Sequence, residues 1–400
     1  MQTADATTDL PLAGVRVLDL ARLVAGGMVA TVLGDFGAEV VKVEQPKTGD
    51  PLRAWSPQGS QLWWKVYARN KKSVTLNFGD ERGRAILLDL ARTADVVIES
   101  FVPGKLEGFG LGPERLHEVA PGLVIVRASG FGQTGPYRDR PGFGTLVEAM
   151  SGFADMTGLP EGPPTLPPLA LADMIAALYG ATATMIALRH RERGGPGQVI
   201  DLSLLEPIVS ILGPLAAEYQ HFGIVPERIG NRAPNTAPRN TYRTSDDKWV
   251  AISASTQAMA ERLLRAVGRE DLLADPRFAT NNARVENVQP LDAAIQAVIG
   301  ARTLDENLQA FRAQGVTAGP VYDIVQFLAD PHVQEREVIV EVPDDDWGTL
   351  KMHQPTPRLS ATPGRIRHPG PKLGAHNAEI YGELGLDAAA LARLAADGIV

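Results

Sequence analysis

Asp173 stands at the head of a long apolar run, LPPLALADMIAALYGATATMIALRHR (residues 166–191), that holds no other acid. An aspartate in that place has two chemistries. As a helix N-cap, it accepts a hydrogen bond from an orphan N–H of the first turn, the role local propensity favours. As a carboxylate kept ionised by the helix dipole and nearby amides, it is a nucleophile. A carboxylate nucleophile suits acyl transfer, because its attack on a thioester gives a mixed anhydride that a thiolate or a second carboxylate can open. Taken alone, the local pattern favours the cap.

Other residues carry weaker chemistry. Arg69, Lys71 and Lys72 in YARNKKSVTLN precede a strand. Such a charge run is ordinarily solvated surface, and its functional reading is contact with an anionic nucleotide such as the ADP half of CoA. Ser100 and Lys105 in ESFVPGKLEGFG add a hydroxyl and an ammonium group to that reading. The glycine-rich stretch SGFGQTGPYRDRPGFG, residues 129–144, is a long irregular connection through which a ligand can approach the backbone. LARLVAGGM does not match G-x-G-x-x-G, so a tight strand-to-helix turn is preferred to a nicotinamide site, although Glu44 closes the next strand. None of the seven histidines has metal-ligand spacing, and G-x-S-x-G is absent. With no cysteine, disulfides, thiolate metal sites and a cysteine nucleophile are excluded.

These residues need a scaffold, and the pattern supplies one. VRVLDLA, then MVATVLGDFGA with apolar residues at helical spacing, then EVVKVE form a strand–helix–strand unit. KSVTLNF, RGRAILLDLARTA and DVVIES repeat it, as do ERLHEVAPG and LVIVRASG, which argues a parallel, Rossmann-like doubly wound sheet. Beyond residue 205 the texture changes. Residues 206–235 read as a linker and 236–325 as a smaller α+β domain, with a hairpin in TYRTSDDKWVAISAS turning at residues 245–248. Residues 1–205 and 326–400 flank these two segments, and strands return from about residue 330. Behind Asp173, Ala176, Gly180, Ala183 and Ala187 make a small-residue stripe that permits close packing of a neighbouring backbone or ligand.

Thirty-nine basic and 47 acidic residues give a net charge of −8 without a basic cluster, so no nucleic-acid footprint is present. No apolar run reads as a membrane span and the N-terminus lacks signal-peptide character; a cytoplasmic enzyme is expected.

Taken in order, the motifs resemble the family III CoA-transferases. They are PLAGVRVLDLARLVAGGMVATVLGDFGAEVVKVEQPKTGDPLR, RNKKSVTLNF, ADVVIESFVPGKLEGFGLGPERL, SGFGQTGPYRDRPGF, LADMIAALYGA, RERGGPGQVIDLSLLE and GNRAPNTAPRNTYRTSDDKWVAIS. The resemblance implies a large domain built from both chain ends, a small one between, and an interlocked homodimer. It implies that Asp173 is acylated and then carries CoA as a thioester, with acyl-CoA and a carboxylic acid as substrates and no permanently bound cofactor. It places CoA contacts at Val24, Ala25, Lys42, Lys47, Asn70, Lys71, Lys72, Ser100 and Lys105. Arg53, Arg232 and Arg239 are candidates, from charge and loop placement, for a second substrate carboxylate, and Gly142 and Phe143 for the substrate pocket.

Three departures from the formyl-CoA transferase pattern, Val24, Ser100 and the lack of a polyglycine loop, argue against formyl and oxalyl substrates. Phe143 stands where the related racemases carry a proton-transfer histidine, and Phe moves no proton. An α-methylacyl-CoA racemase or epimerase is therefore the runner-up, with a CoA-binding subunit of a heteromeric transferase as the third reading.

Overall fold

The structure is a computed structural model and describes residues 9–55 and 59–400. Its larger unit comprises the described residues up to Phe153 together with Leu166–Pro214 and Arg336–Val400; the smaller comprises Ala154–Thr165 and Leu215–Glu335.

Six strands form the sheet of the larger unit: β1 (Arg16–Asp19), β2 (Glu39–Glu44), β3 (Lys71–Thr75), β4 (Val96–Glu99), β5 (Val124–Ser129) and β6 (Val199–Ser203). All pair in parallel, in the order β3-β2-β1-β4-β5-β6. Alternate residues supply two separate cores, as a sheet covered on both faces requires. Val17, Val40, Val96, Ile98 and Val126 pack beneath helices α1 (Ala25–Asp35) and α5 (Leu171–Glu192). Leu18, Val41, Val97 and Ile125 face helices α2 (Glu81–Arg92) and α3 (Pro113–Val119). A further helix, α4 (Gly144–Met150), follows the glycine-rich stretch, which has no regular element between Ser129 and Gly144.

The chain reverses direction across the sheet between β1 and β4, so the loops leaving these two strands part at their carboxyl ends. In open α/β sheets that crevice is where ligands bind. The loops meet there, with the Arg22 amide donating to Ser100 Oγ at 2.8 Å.

Helix α5 is long and apolar enough to cross a membrane by length and composition alone, which the reading of the sequence did not anticipate. Its inward stripe explains the composition. Ala176, Gly180 and Ala187 are buried, and a Cβ on Gly180 would lie 2.7 Å from both Val29 and Leu202 side-chain atoms. Small residues thus let α5 lie directly on α1 and the sheet.

The smaller unit is built on an antiparallel sheet of β7 (Arg239–Arg243), β8 (Trp249–Ser253) and β9 (Ala318–Pro320). Helices α6 (Gln257–Ala266), α7 (Val288–Ile299) and α8 (Leu304–Ala313) close its core around Tyr242, Leu263, Ile295 and Phe311. The stretch read as a linker, residues 206–235, holds most of the short helix Leu205–Ser210 and all of Leu215–Phe222.

Candidate active site

Asp173 does not cap its helix. Helix α5 begins at Leu171 after Ala170, which makes no side-chain capping bond, so Asp173 lies in the first turn, one position beyond Ala172. The cap comes from elsewhere in the fold: Oε1 of Glu148, on α4, accepts the Ala172 amide at 3.0 Å. Freed from capping, the Asp173 carboxylate is met by its own amide and by that of Ala25, the first residue of α1, and both favour its ionised form. Three helix beginnings therefore converge on one carboxylate. The third is α4, whose first residue is Gly144: a Cβ there would lie 2.1 Å from Asp173 Oδ2.

The surroundings are apolar. Ala25, Val147, Ala172, Ala176, Leu204 and Ile208 are buried in one cluster, with Phe131 and Phe153 against it. Burial raises the Asp173 pKa from the ordinary 3.8 to about 6, and the charge of Glu148 adds to the rise; the two amide hydrogen bonds oppose it. The amides of the helix terminus favour the ionised form, as the sequence reading has it, but desolvation outweighs them. The result is a carboxylate still ionised at neutral pH but more basic, and so more nucleophilic, than a solvated aspartate.

Glu148 was not singled out in the sequence, though a signal existed: it is the sole charged residue between Arg140 and Asp155. Replacing Glu148 by Gln keeps an acceptor for the Ala172 amide and removes the neighbouring charge. The acid limb of the pH–rate profile is then expected to move to lower pH, below about 6, with thermal stability little changed. An unmoved limb would show that the limb does not belong to Asp173.

The basic residues expected at CoA are mostly engaged within the protein. Lys42 is buried, donating to the Ala21 carbonyl and pairing with Asp50 at 2.9 Å and Asp19 at 3.6 Å. Lys71 is buried and donates to Asp19 at 2.8 Å and to the Gly27 carbonyl at 2.7 Å. Arg69 grips Asp35 with bonds of 3.0 and 2.7 Å, and Asn70 donates to the same carboxylate at 2.8 Å. Asp35 ends α1, about 15 Å along the helix from Ala25 at 1.5 Å per residue. Lys72 pairs with Glu39 and Glu379 at 2.6 and 2.7 Å, at the amino edge of the sheet. Arg69, Asn70 and Lys72 are therefore not brought to the Asp173 end of α1.

Val24 and Ala25 are: Val24 occupies the N-cap position of α1. Ser100 reaches the same turn through Arg22. Lys47 and Lys105 are exposed, the latter with its ammonium 4.9 Å from the centre of the Phe109 ring. Arg53 is held by Glu44 at 2.7 and 2.9 Å and lies 3.7 Å over the Trp64 ring. Gly142 packs on Gly130: a Cβ on either would lie 2.5–2.6 Å from the other's Cα. Phe143, next to it, is 59% exposed. In the smaller unit, Arg232 donates to Asp292 at 2.8 Å and Arg239 to the Arg232 carbonyl at 2.9 Å.

Comparison with known proteins gives a consistent result. The sequence pattern that defines CoA-transferase family III matches residues 12–377. The chain is 44% identical over 394 residues to succinyl-CoA–D-citramalate CoA-transferase of Chloroflexus aurantiacus, covering 98% of each chain. It is 40% identical to the beta subunit of succinyl-CoA–L-malate CoA-transferase of the same organism, over 94% of this chain and 95% of that one. Among solved structures, a CAIB/BAIF family protein from Brucella suis superposes with a TM-score of 0.84 at 35% identity, over 94% of this chain and 100% of that one.

Proposed function

The chain belongs to CoA-transferase family III and is a CoA-transferase, and on that premise we propose that it passes CoA from succinyl-CoA to a dicarboxylic acid through Asp173. The observation that carries the mechanism is the Asp173 carboxylate itself, half-buried, raised in basicity and held by the amide that opens α1.

Each step exchanges one activated acyl group for another. Asp173 attacks the thioester carbonyl, the C–S bond breaks and CoA leaves as thiolate, giving a mixed anhydride. The thiolate attacks the aspartyl carbonyl of that anhydride, releasing succinate and leaving an aspartyl-CoA thioester. The acceptor carboxylate then attacks this thioester and expels CoA thiolate, which opens the new anhydride at the acceptor carbonyl and restores Asp173. No proton, electron or phosphate is consumed, so neither ATP nor a metal has a step to perform. Desolvation around Asp173 also keeps water from hydrolysing the anhydride.

The printed names of the two Chloroflexus relatives share a succinyl-CoA donor and a hydroxy-dicarboxylic acceptor, which supports that donor and an acceptor of that class here. Among the sequence candidates, Val24, Ala25, Ser100, Lys47 and Lys105 remain the proposed CoA contacts, since the first three border the β1/β4 crevice and the last two are exposed ammonium groups. The parallel strand order β3-β2-β1-β4-β5-β6 supports a Rossmann-like reading of the larger unit. The outer face of α5 exposes Leu178, Tyr179, Met185 and Ile186; a second copy of the chain covering them in an interlocked dimer is the proposed assembly, in keeping with a cytoplasmic enzyme. Because one relative is a named subunit, a paired heteromeric enzyme is the second reading.

The test is isotope exchange. The purified single chain is expected to move labelled succinate into succinyl-CoA without any acceptor, and hydroxylamine added during turnover is expected to modify Asp173. Exchange without Asp173 modification would overturn the covalent route, and exchange only after a partner chain is added would favour the heteromeric reading. Solvent deuterium appearing at a substrate α-carbon would favour racemisation.

A further inference from the structure

We infer that the buried pair of Lys42 and Asp50 is a positioning device for the reaction: it holds the turn of residues 21–23 so that the Ala25 amide stays aimed at the Asp173 carboxylate. The inference rests on the reading of Asp173 as the nucleophile.

In the turn that joins β1 to α1, Leu20 donates to the Ile98 carbonyl at 2.8 Å, the amides of residues 21–23 bond side chains instead, and Leu23 sits in the left-handed region at φ 62°. Such a residue is held only when its surroundings over-determine it. Side chains do so here at each residue. Asp19 Oδ1 accepts the Ala21 amide at 3.0 Å, and Lys42 Nζ donates to the Ala21 carbonyl. Ser100 Oγ accepts the Arg22 amide, and Asp50 Oδ1 accepts the Leu23 amide at 3.0 Å. Two residues after Leu23 comes the amide that bonds Asp173.

Within this scaffold, Lys42 and Asp50 form the brace. Asp50 Oδ2 lies 2.9 Å from Lys42 Nζ, and both side chains are about 3% exposed. Asp50 is itself fixed by the Leu52 amide at 2.9 Å, and its own amide donates to Glu44 at 3.0 Å. The pair therefore ties the end of β2 and the segment after it to both sides of the turn. A buried ion pair is seldom retained for stability alone; here its hydrogen bonds all end on the strand-to-helix turn or on the segment bracing it.

The charged group whose field acts on Asp173 from α4 is Glu148. Asp19, Lys42, Asp50 and Lys71 pair with one another under the turn, and this arrangement yields a test with opposite signs. As a plain field effect, Asp50→Asn removes an anion and must lower the pKa of Asp173, whereas Lys42→Met removes a cation and must raise it. As a loss of position, both loosen the Ala25 amide, which favours the ionised carboxylate, so both must raise it.

The experiment follows exchange of labelled succinate into succinyl-CoA across roughly pH 5 to 9 for the wild type, Asp50→Asn, Lys42→Met and, as a control, Asp35→Asn. The control breaks a buried ion pair at the far end of α1. The expected result is an acid limb moved to higher pH in both turn variants, with kcat lowered about 10- to 100-fold and KM within about threefold. The control is expected to lose thermal stability without moving its limb. Carboxyl 13C titration of aspartate-labelled protein reads the same shift without turnover, with Asp173→Asn identifying the resonance.

Limbs that move in opposite directions, or not at all, overturn the positioning role. Should Asp50→Asn not fold, Ser100→Ala frees the Arg22 amide without changing charge and must move the limb upward, or the inference fails. An Asp173→Asn protein that exchanges as fast as the wild type would instead sink the nucleophile reading.

Discussion

Asp173→Asn is expected to lower CoA transfer by at least about a thousandfold while making the folded protein more stable at alkaline pH. The two effects share one cause. Asparagine is nearly isosteric and still accepts the two amide hydrogen bonds, but it cannot form the anhydride. Its neutrality removes the cost of an ionised group in an apolar site. The sign follows from the direction of the shift. The folded-state pKa, about 6, lies above the ordinary 3.8, so the folded protein binds the proton more tightly than the unfolded chain. Ionisation then opposes folding, fully above pH 6 and not at all below about pH 4. The variant should therefore gain up to roughly 3 kcal/mol at pH 8, with the gain vanishing toward pH 4. Denaturant unfolding of both proteins at the two pH values is the measurement, and equal stability at pH 8 would show that the site is not desolvated.

Gly144→Ala is expected to produce the second large effect by leaving the nucleophile chemically intact but misplaced. The new Cβ would stand 2.1 Å from Asp173 Oδ2 and 3.2 Å from Cγ, so the carboxylate must turn away from the position in which it meets the Ala25 amide. A displacement of about 1 Å costs on the order of a hundredfold in rate. The fold has no reason to suffer: Gly144 opens a helix, is not in the left-handed region, and alanine favours a helix over glycine by up to about 1 kcal/mol. An active Gly144→Ala enzyme would mean that the carboxylate works from another rotamer; a merely unfolded one would show lost thermal stability, which separates the cases.

The sheet was legible in the sequence because each of its central strands must be apolar on both faces, and helical spacing intervenes between them. Asp173 was legible because one acid in an apolar stretch stands out; Glu148 gives the same signal but was missed. What could not be read was the partner of each charge. In RNKK, Arg69 and Lys71 turn inward to Asp35 and Asp19, while Lys72 lies at the sheet edge with Glu39. Sequence displays charge, whereas burial depends on which face of a strand or which end of a helix a residue occupies. For the same reason the start of α5 was misplaced: its cap, Glu148, comes from another helix and has no local signature.

The contact between Gly130 and Gly142 closes residues 131–141 at the neck, backbone on backbone, two residues before Gly144. Closure entropy grows only slowly with the length of a loop, so beyond Phe131, which packs against the Asp173 cluster, and Gln133, whose amide Asp201 holds, the segment is free to lengthen or shorten with little penalty to α4. Insertions or deletions in its remaining stretch are therefore felt at the neck as a small entropic change, while the helix behind the neck keeps its place.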